Sequence, residues 1–174
     1  MFESLFKAIL YVLPAYIANG SPVVGARIIG KTTPLDRGAR AWDGRRILGD
    51  GKTLEGLLTG IISGTFIGLA IYALGNPASY RSILEPFLLS LGAMIGDIFG
   101  SFLKRRMGLE RGRPAPGLDQ LGFLIFALLS SFSIYGAPGW LSLQIFILLL
   151  AITACLHLGT NYLAYLLGLK REPY

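Results

Sequence analysis

The sequence predicts an all-α integral membrane protein with five transmembrane helices, and three observations carry that expectation. Of 174 residues, 53% are hydrophobic and 15% charged, yet the formal net charge is +6, the profile of apolar spans joined by basic connectors. The apolar residues fall into five runs, each long enough at about 1.5 Å per residue to cross or nearly cross a hydrocarbon core of about 30 Å. The runs lack period-two alternation, and backbone facing lipid must pair within its own segment, which excludes strands.

Taken in order, the spans are expected at about 4–19, 54–75, 84–104, 119–136 and 140–169, within a single transmembrane domain covering residues 1–174. The first has no basic flank and no small-residue cleavage pattern before Asn19-Gly20-Ser21-Pro22, so it reads as a retained span rather than a signal peptide. The fifth is overlong and must tilt, kink or protrude. In its second half Thr153, His157, Thr160 and Asn161 share a face expected to point into the bundle; His157, the only histidine, is given no catalytic role. Tyr72, Tyr80, Tyr135 and Trp140 fit an aromatic belt at the outer surface. The single cysteine, Cys155, lies inside this last run, which excludes a disulfide framework and a cysteine metal site.

Loops 20–53 and 105–118 carry the charge. With five spans and the amino terminus outside, 14 of the 16 Lys and Arg residues fall on the inner side, leaving only Lys7 and Arg81 opposite. The positive-inside rule therefore puts the amino terminus out and the carboxyl terminus in the cytoplasm. It also sets nucleic-acid binding aside despite the sequence pI of 9.7, because the cations lie between apolar runs. Loop 20–53 has its own punctuation, Pro22, Pro34, Asp43-Gly44 and Asp50-Gly51, which predicts a structured, folded-back cytoplasmic segment. Its seven cations would hold a polyphosphate or anionic lipid head groups.

The chemistry is concentrated between Gly96 and Gly122. Asp97 stands inside a potential span, where a charge costs at least about 2.5–3.5 kcal/mol and calls for a partner. Spacings of four and seven put Asp97, Ser101 and Lys104 on one helical stripe, with Asp97 about 10 Å deeper than Lys104. Asp119 follows Pro116-Gly117 at the mouth of the fourth run; it caps that helix, or reaches Asp97, or both. Two acids converging beneath a basic surface read as a site for a divalent metal and phosphate, with Asp97 and Asp119 as ligands of Mg²⁺. Gly49-Asp50-Gly51-Lys52-Thr53 is not a Walker A loop, but it offers backbone and lysine contacts to phosphate where the second span begins.

Gly96-Asp97, then Ser101-Phe102-Leu103-Lys104-Arg105, then Pro116-Gly117-Leu118-Asp119-Gln120-Leu121, resemble the signature of the CTP-dependent phosphatidate cytidylyltransferases. The run Asp43 to Thr53, with Glu55-Gly56 opening span two, is similar to the compact archaeal branch, the CDP-archaeol synthases. The resemblance implies transfer of CMP from CTP to 2,3-di-O-geranylgeranylglyceryl phosphate, with pyrophosphate released. It implies Asp97, Asp119 and Lys104 as catalytic residues and Mg²⁺ on the two acids. Phosphate or nucleotide contacts would come from Asn19, Asp43, Gly44, Arg45, Arg46, Lys52, Thr53, Ser101 and Arg105. A phosphate nucleophile is already ionised near neutral pH, so no general base is needed. The chain departs from the family pattern at Gly122, where a second acid commonly stands; the site works with fewer carboxylates, or borrows another acid such as Asp43, or is catalytically weakened. Two other classes compete. A CDP-alcohol phosphotransferase would show a dense run of acids, absent between Asp36 and Asp43, and a transporter or assembly factor would show internal repeats.

Overall fold

A computed structural model describes residues 1–169. Lys170 and Arg171, two of the cations that set the expected orientation, lie outside the described residues. Five helices follow one another: α1 Phe2–Ile29, α2 Leu54–Ala73, α3 Glu85–Arg106, α4 Leu118–Tyr135 and α5 Leu143–Leu166. All five are long and apolar enough to cross a membrane. Among the described residues there is no strand, only isolated bridges joining Pro34 to Thr53 and Arg40 to Arg46. Large apolar side chains such as Leu58, Ile62 and Phe66 stand exposed at four-residue spacing along α2. In water such a stripe would be a liability; in a bilayer it is the lipid-facing surface.

α1 runs ten residues beyond its expected end at 19. Asn19-Gly20-Ser21-Pro22 reads locally as a breaker, but tertiary contacts override propensity. The Ser63 hydroxyl of α2 donates to Ser21 Oγ at 2.7 Å, and Pro22 lies against Gly56. The expected inner loop 20–53 is therefore helix as far as Ile29.

The interior is built on α1 to α4. Close approach is set by glycines where no side chain fits: a Cβ at Gly60 would stand 2.8 Å from the Ala18 carbonyl oxygen, and one at Gly96 would stand 2.7 Å from that of Gly122. The first brings α2 onto α1 and the second seats α3 on α4 with their backbones in contact. α5 is attached more loosely, burying only Ile145, Leu149 and Thr153, all in its first half.

The end of the bundle away from the basic loops is closed by a charged cluster. Glu85, fully buried, accepts from Tyr11 (2.5 Å), Ser131 (2.7 Å) and the Arg81 guanidinium. Arg81 also donates to the Tyr11 hydroxyl and, at 2.7 Å, to the Tyr135 carbonyl, so one residue ties α1 and the start of α3 to the finish of α4. Tyr80, expected in the outer belt, is buried instead: its hydroxyl donates to the Leu10 carbonyl, and its ring lies 5.5 Å from that of Tyr11.

Candidate active site

The opposite end of the bundle carries the basic loops, and there the 30–53 segment is a folded element organised by one acid. The Asp36 carboxylate accepts from the Arg46 guanidinium at 2.6 and 3.2 Å and from the backbone amides of Leu48 (2.9 Å), Gly49 (2.9 Å) and Gly38 (3.2 Å). The arginine above all, with the three amides, outweighs burial and holds this carboxyl well below the ordinary carboxylate range. Asp43 turns the chain as its dipeptide predicts: its side chain accepts from the Arg45 amide, and Gly44 takes φ 72°. At the second Asp-Gly pair the positive φ falls on Gly49, not on Gly51.

The ends of the loop are clasped by backbone. Leu35 N–H donates to the Lys52 carbonyl at 2.8 Å, Leu54 N–H donates to the Thr33 carbonyl at 2.9 Å, and Glu55 accepts from the Thr33 amide. Thr53 caps α2, its hydroxyl accepting from Gly56 N–H. This clasp aims Lys52 at α3, where its ammonium donates to Asp97 Oδ2 at 2.5 Å. A cavity of about 30 Å³ opens beside the pair, bordered by Gly51, Thr53, Gly56 and Met94. It has room for water or a small ion and is far too small to enclose a nucleotide.

A second pair sits between α3 and α4. Lys104 donates to both oxygens of Asp119 at 3.0 Å, and Asp119 Oδ2 also accepts from the Ala115 amide. Asp119 is not the N-cap of α4; that position is Gly117, at φ 81°, whose amide donates to the Gln120 side chain. Asp97 and Asp119 thus lie on adjoining helices, each neutralised by its own lysine.

The remaining candidates divide by what they touch. Arg45 donates to the Arg106 carbonyl at 2.9 Å, and Arg46 is engaged by Asp36 and Asp50, so both hold the loop together. Arg106, not among the residues expected at the site, is the staple: it donates to Asp43 and to the Arg46 carbonyl, and lies over the rings of Trp42 and Phe102. Arg105 keeps a buried Nε with no partner, and Ser101 stands one turn from Asp97 on α3. Arg111, also without an assigned role, reaches Gly51, its Nε 3.5 Å from where a Cβ there would be. Asn19 lines a separate cleft among α1, α4 and α5, not the Lys52–Asp97 cavity.

Among the described residues no three acidic, histidine or cysteine side chains gather as a metal cage. The donor set still suits a hard cation of the magnesium type, which takes one or two carboxylates and completes its shell with phosphate oxygens and water. Asp97 and Asp119 are carboxylates of that kind, each paired in this structure with a lysine.

A multi-pass helical protein with paired acids and lysines under a basic loop defines a class, the intramembrane enzymes that handle phosphate at a membrane surface. The comparisons narrow it. A family model described as CarS-like, CDP-archaeol synthase, matches residues 1–174. The chain is 48% identical over 176 residues to the CDP-archaeol synthase of Pyrococcus horikoshii, covering 99% of this chain and 98% of that one. It is 47% identical to that of Thermococcus gammatolerans with the same coverage, and 46% identical to that of Methanopyrus kandleri over 98% of this chain and 94% of the relative. A solved structure described as an intramembrane enzyme for archaeal membrane lipids biosynthesis superposes with a TM-score of 0.77 at 44% identity, covering 90% of this chain and 94% of that one. The chain belongs to the CDP-archaeol synthase family.

Proposed function

We propose that the protein transfers CMP from CTP to 2,3-di-O-geranylgeranylglyceryl phosphate at the cytoplasmic face of the membrane, releasing pyrophosphate. The observation that carries this reading is the double pairing of Lys52 with Asp97 and Lys104 with Asp119 on adjoining elements. A phosphate oxygen of the lipid attacks the α-phosphorus of CTP in line, a P–O bond forms, and the bond to pyrophosphate breaks. Both reactants are anionic, so the work of the protein is to position them and to neutralise their charge. Lys52, Arg105 and Arg111 meet the triphosphate, and Lys104 meets the phosphate that attacks. Mg²⁺ held by Asp97 and Asp119 would supply further neutralisation of the triphosphate. Asp36, Arg45, Arg46 and Arg106 do not touch substrate in this reading; they shape and staple the loop that presents Lys52. The arginine-rich loops face the cytoplasm, where CTP is available, in keeping with the positive-inside distribution.

The test is an assay of purified protein with labelled CTP, Mg²⁺ and the lipid phosphate. Pyrophosphate appears only when all three are present, and Asp97→Asn and Asp119→Asn each lower the rate by about a hundredfold or more. Turnover undiminished in both variants, or undiminished after chelation of divalent metal, removes the proposed site.

A further inference from the structure

One large side chain of the 30–53 segment is unused by the chemistry above: Trp42, which is 84% exposed. It sits in the turn closed by the Arg40–Arg46 bridge, and Arg106 holds that turn on the end of α3. The Arg106 guanidinium lies 5.4 Å from the centre of the Trp42 ring and 5.3 Å from that of Phe102. The two rings meet edge to face, their centroids 6.4 Å apart. One side of the indole is thus packed on α3, and the rest stands clear of the protein.

What meets the exposed side follows from α3. Ile95, Phe99, Phe102 and Arg106 recur at spacings of four, three and four, so they form one stripe of that helix. Ile95 and Phe99 are 45% and 42% exposed, and apolar side chains exposed along a membrane-spanning helix face lipid. Asp97 stands two residues from Ile95, about 160° round the helix, so this stripe is not part of the Lys52–Asp97 site. The 22 residues of α3 cover about 33 Å against a hydrocarbon core of about 30 Å, which brings its last turn out at head-group level. Trp42 rests on that turn, where the lipid-facing stripe ends. A lone exposed tryptophan on a water-facing surface needs no explanation. One seated there has the depth of an interfacial aromatic belt, where its apolar body and polar N–H are both satisfied. The flanking charge agrees: Arg40 and Arg45 donate to the carbonyls of Gly44 and Arg106, and among the described residues neither forms an ion pair, so the turn keeps the sign that lipid phosphates attract. We propose that the 40–46 turn docks on the head-group layer of the surrounding bilayer, with the Trp42 ring inserted among the lipid head groups. The chain runs on from this turn to Lys52, so the contact holds the loop at a fixed height over the end of the bundle. The partner is bilayer lipid rather than substrate, and the inference stands apart from the reaction proposed above.

The chain holds two tryptophans, and Trp140→Phe leaves Trp42 as the sole indole while keeping a ring against Tyr11. The full-length variant is placed in vesicles of phosphatidylcholine and phosphatidylglycerol whose chains carry bromine either near the head group or near the methyl end. Trp42 should lose about half its emission to the shallow bromine and clearly less to the deep one. If Trp140→Phe does not fold, the difference in emission between the unaltered protein and Trp42→Ser supplies the same signal. Emission indifferent to both bromines, with acrylamide reaching Trp42 as readily as it reaches free tryptophan, overturns the proposal. Quenching strongest with the deep bromine overturns it as well, since the ring would then lie in the hydrocarbon core. So does shielding from acrylamide that CTP with Mg²⁺ provides and lipid alone does not, which would give the ring to a nucleotide.

Discussion

Lys52 and Asp97 are 45 residues apart in the chain and 2.5 Å apart in space. The helix carrying the acid and the loop carrying the base are brought together by backbone bonds at the ends of that loop, not by the pair itself. An isolated carboxylate at that depth would be costly, and an isolated lysine at the same place equally so; together they offset one another while leaving a cation and an anion ready for substrate.

Replacing Lys52 with Met should therefore damage catalysis more than folding. The side chain keeps its length and loses its charge, and the rate of pyrophosphate release should drop by about a hundred- to a thousandfold, the usual loss when one donor to a developing phosphate charge is removed. Lys52→Arg keeps the charge and should recover part of the loss. The check is the steady-state rate alongside the thermal midpoint in detergent; a midpoint that collapses in step with the rate would make Lys52 structural.

Asp36 predicts an acid limit for the loop. Its folded carboxyl titrates below the ordinary value, with Arg46 the main cause. Above about pH 4 the carboxylate is ionised whether or not the loop is folded, and its full contribution is present. As the pH falls further the unfolded loop takes up the proton first, and stability drains away until the folded carboxyl itself protonates. Hydrogen exchange at the Leu48 and Gly49 amides, corrected for intrinsic rate, should thus stay protected from neutral pH down to about pH 4 and lose protection below it. In Asp36→Asn the protection should be weak throughout and the acid limb absent.

The five spans are legible in sequence because a membrane imposes one composition over about twenty residues at a time, a signal that no single residue can hide. Asp97 is legible for the same reason, as the charge that such a run should exclude. Asp36 is not, because an acid in a loop has no period and its meaning lies in amides that only the folded chain assembles. The extension of α1 past Pro22 is hidden because Ser63 and Gly56, which sustain it, come from another helix. Glu85 is a different case: Arg81 and Glu85 stand four apart, a visible pairing, but nothing local says that Tyr11 and Ser131 complete it. Gly122 in place of an acid leaves the number of carboxylates at the site unresolved by sequence, and the fold shows Asp43 committed to its turn and to Arg106.

The cluster around Glu85 predicts a loss of stability that is separable from loss of function. Glu85→Ala strands the Arg81 guanidinium and two hydroxyls, at a cost of about 3–5 kcal/mol for breaking a buried pair from one side. Asp97 lies twelve residues beyond Glu85 on α3, about 18 Å along the helix, so the folded fraction should keep the KM for CTP of the unaltered protein. Thermal midpoints in detergent together with CTP kinetics below the transition make the check; a raised KM in fully folded protein would connect the two ends.

Two glycines on adjoining helices should respond to alanine in opposite ways. At Gly96 the added methyl would stand 2.7 Å from the Gly122 carbonyl oxygen and 2.8 Å from Phe126, so α3 and α4 must separate for it to fit. Overpacking of that kind costs about 1–3 kcal/mol, and because Asp97 is the next residue the displacement should reach the site and lower the rate as well. At Gly122 the nearest atoms to an added methyl are Leu118 Cδ1 at 3.8 Å and the Gly96 carbonyl oxygen at 4.0 Å, both ordinary contacts. Alanine there removes only the flexibility of a glycine inside a helix and should add about 0.5–1 kcal/mol. Unfolding in detergent should place the two variants on either side of the unaltered protein; a Gly96→Ala chain as stable as that protein would mean that the α3–α4 contact is looser than its carbonyl spacing implies.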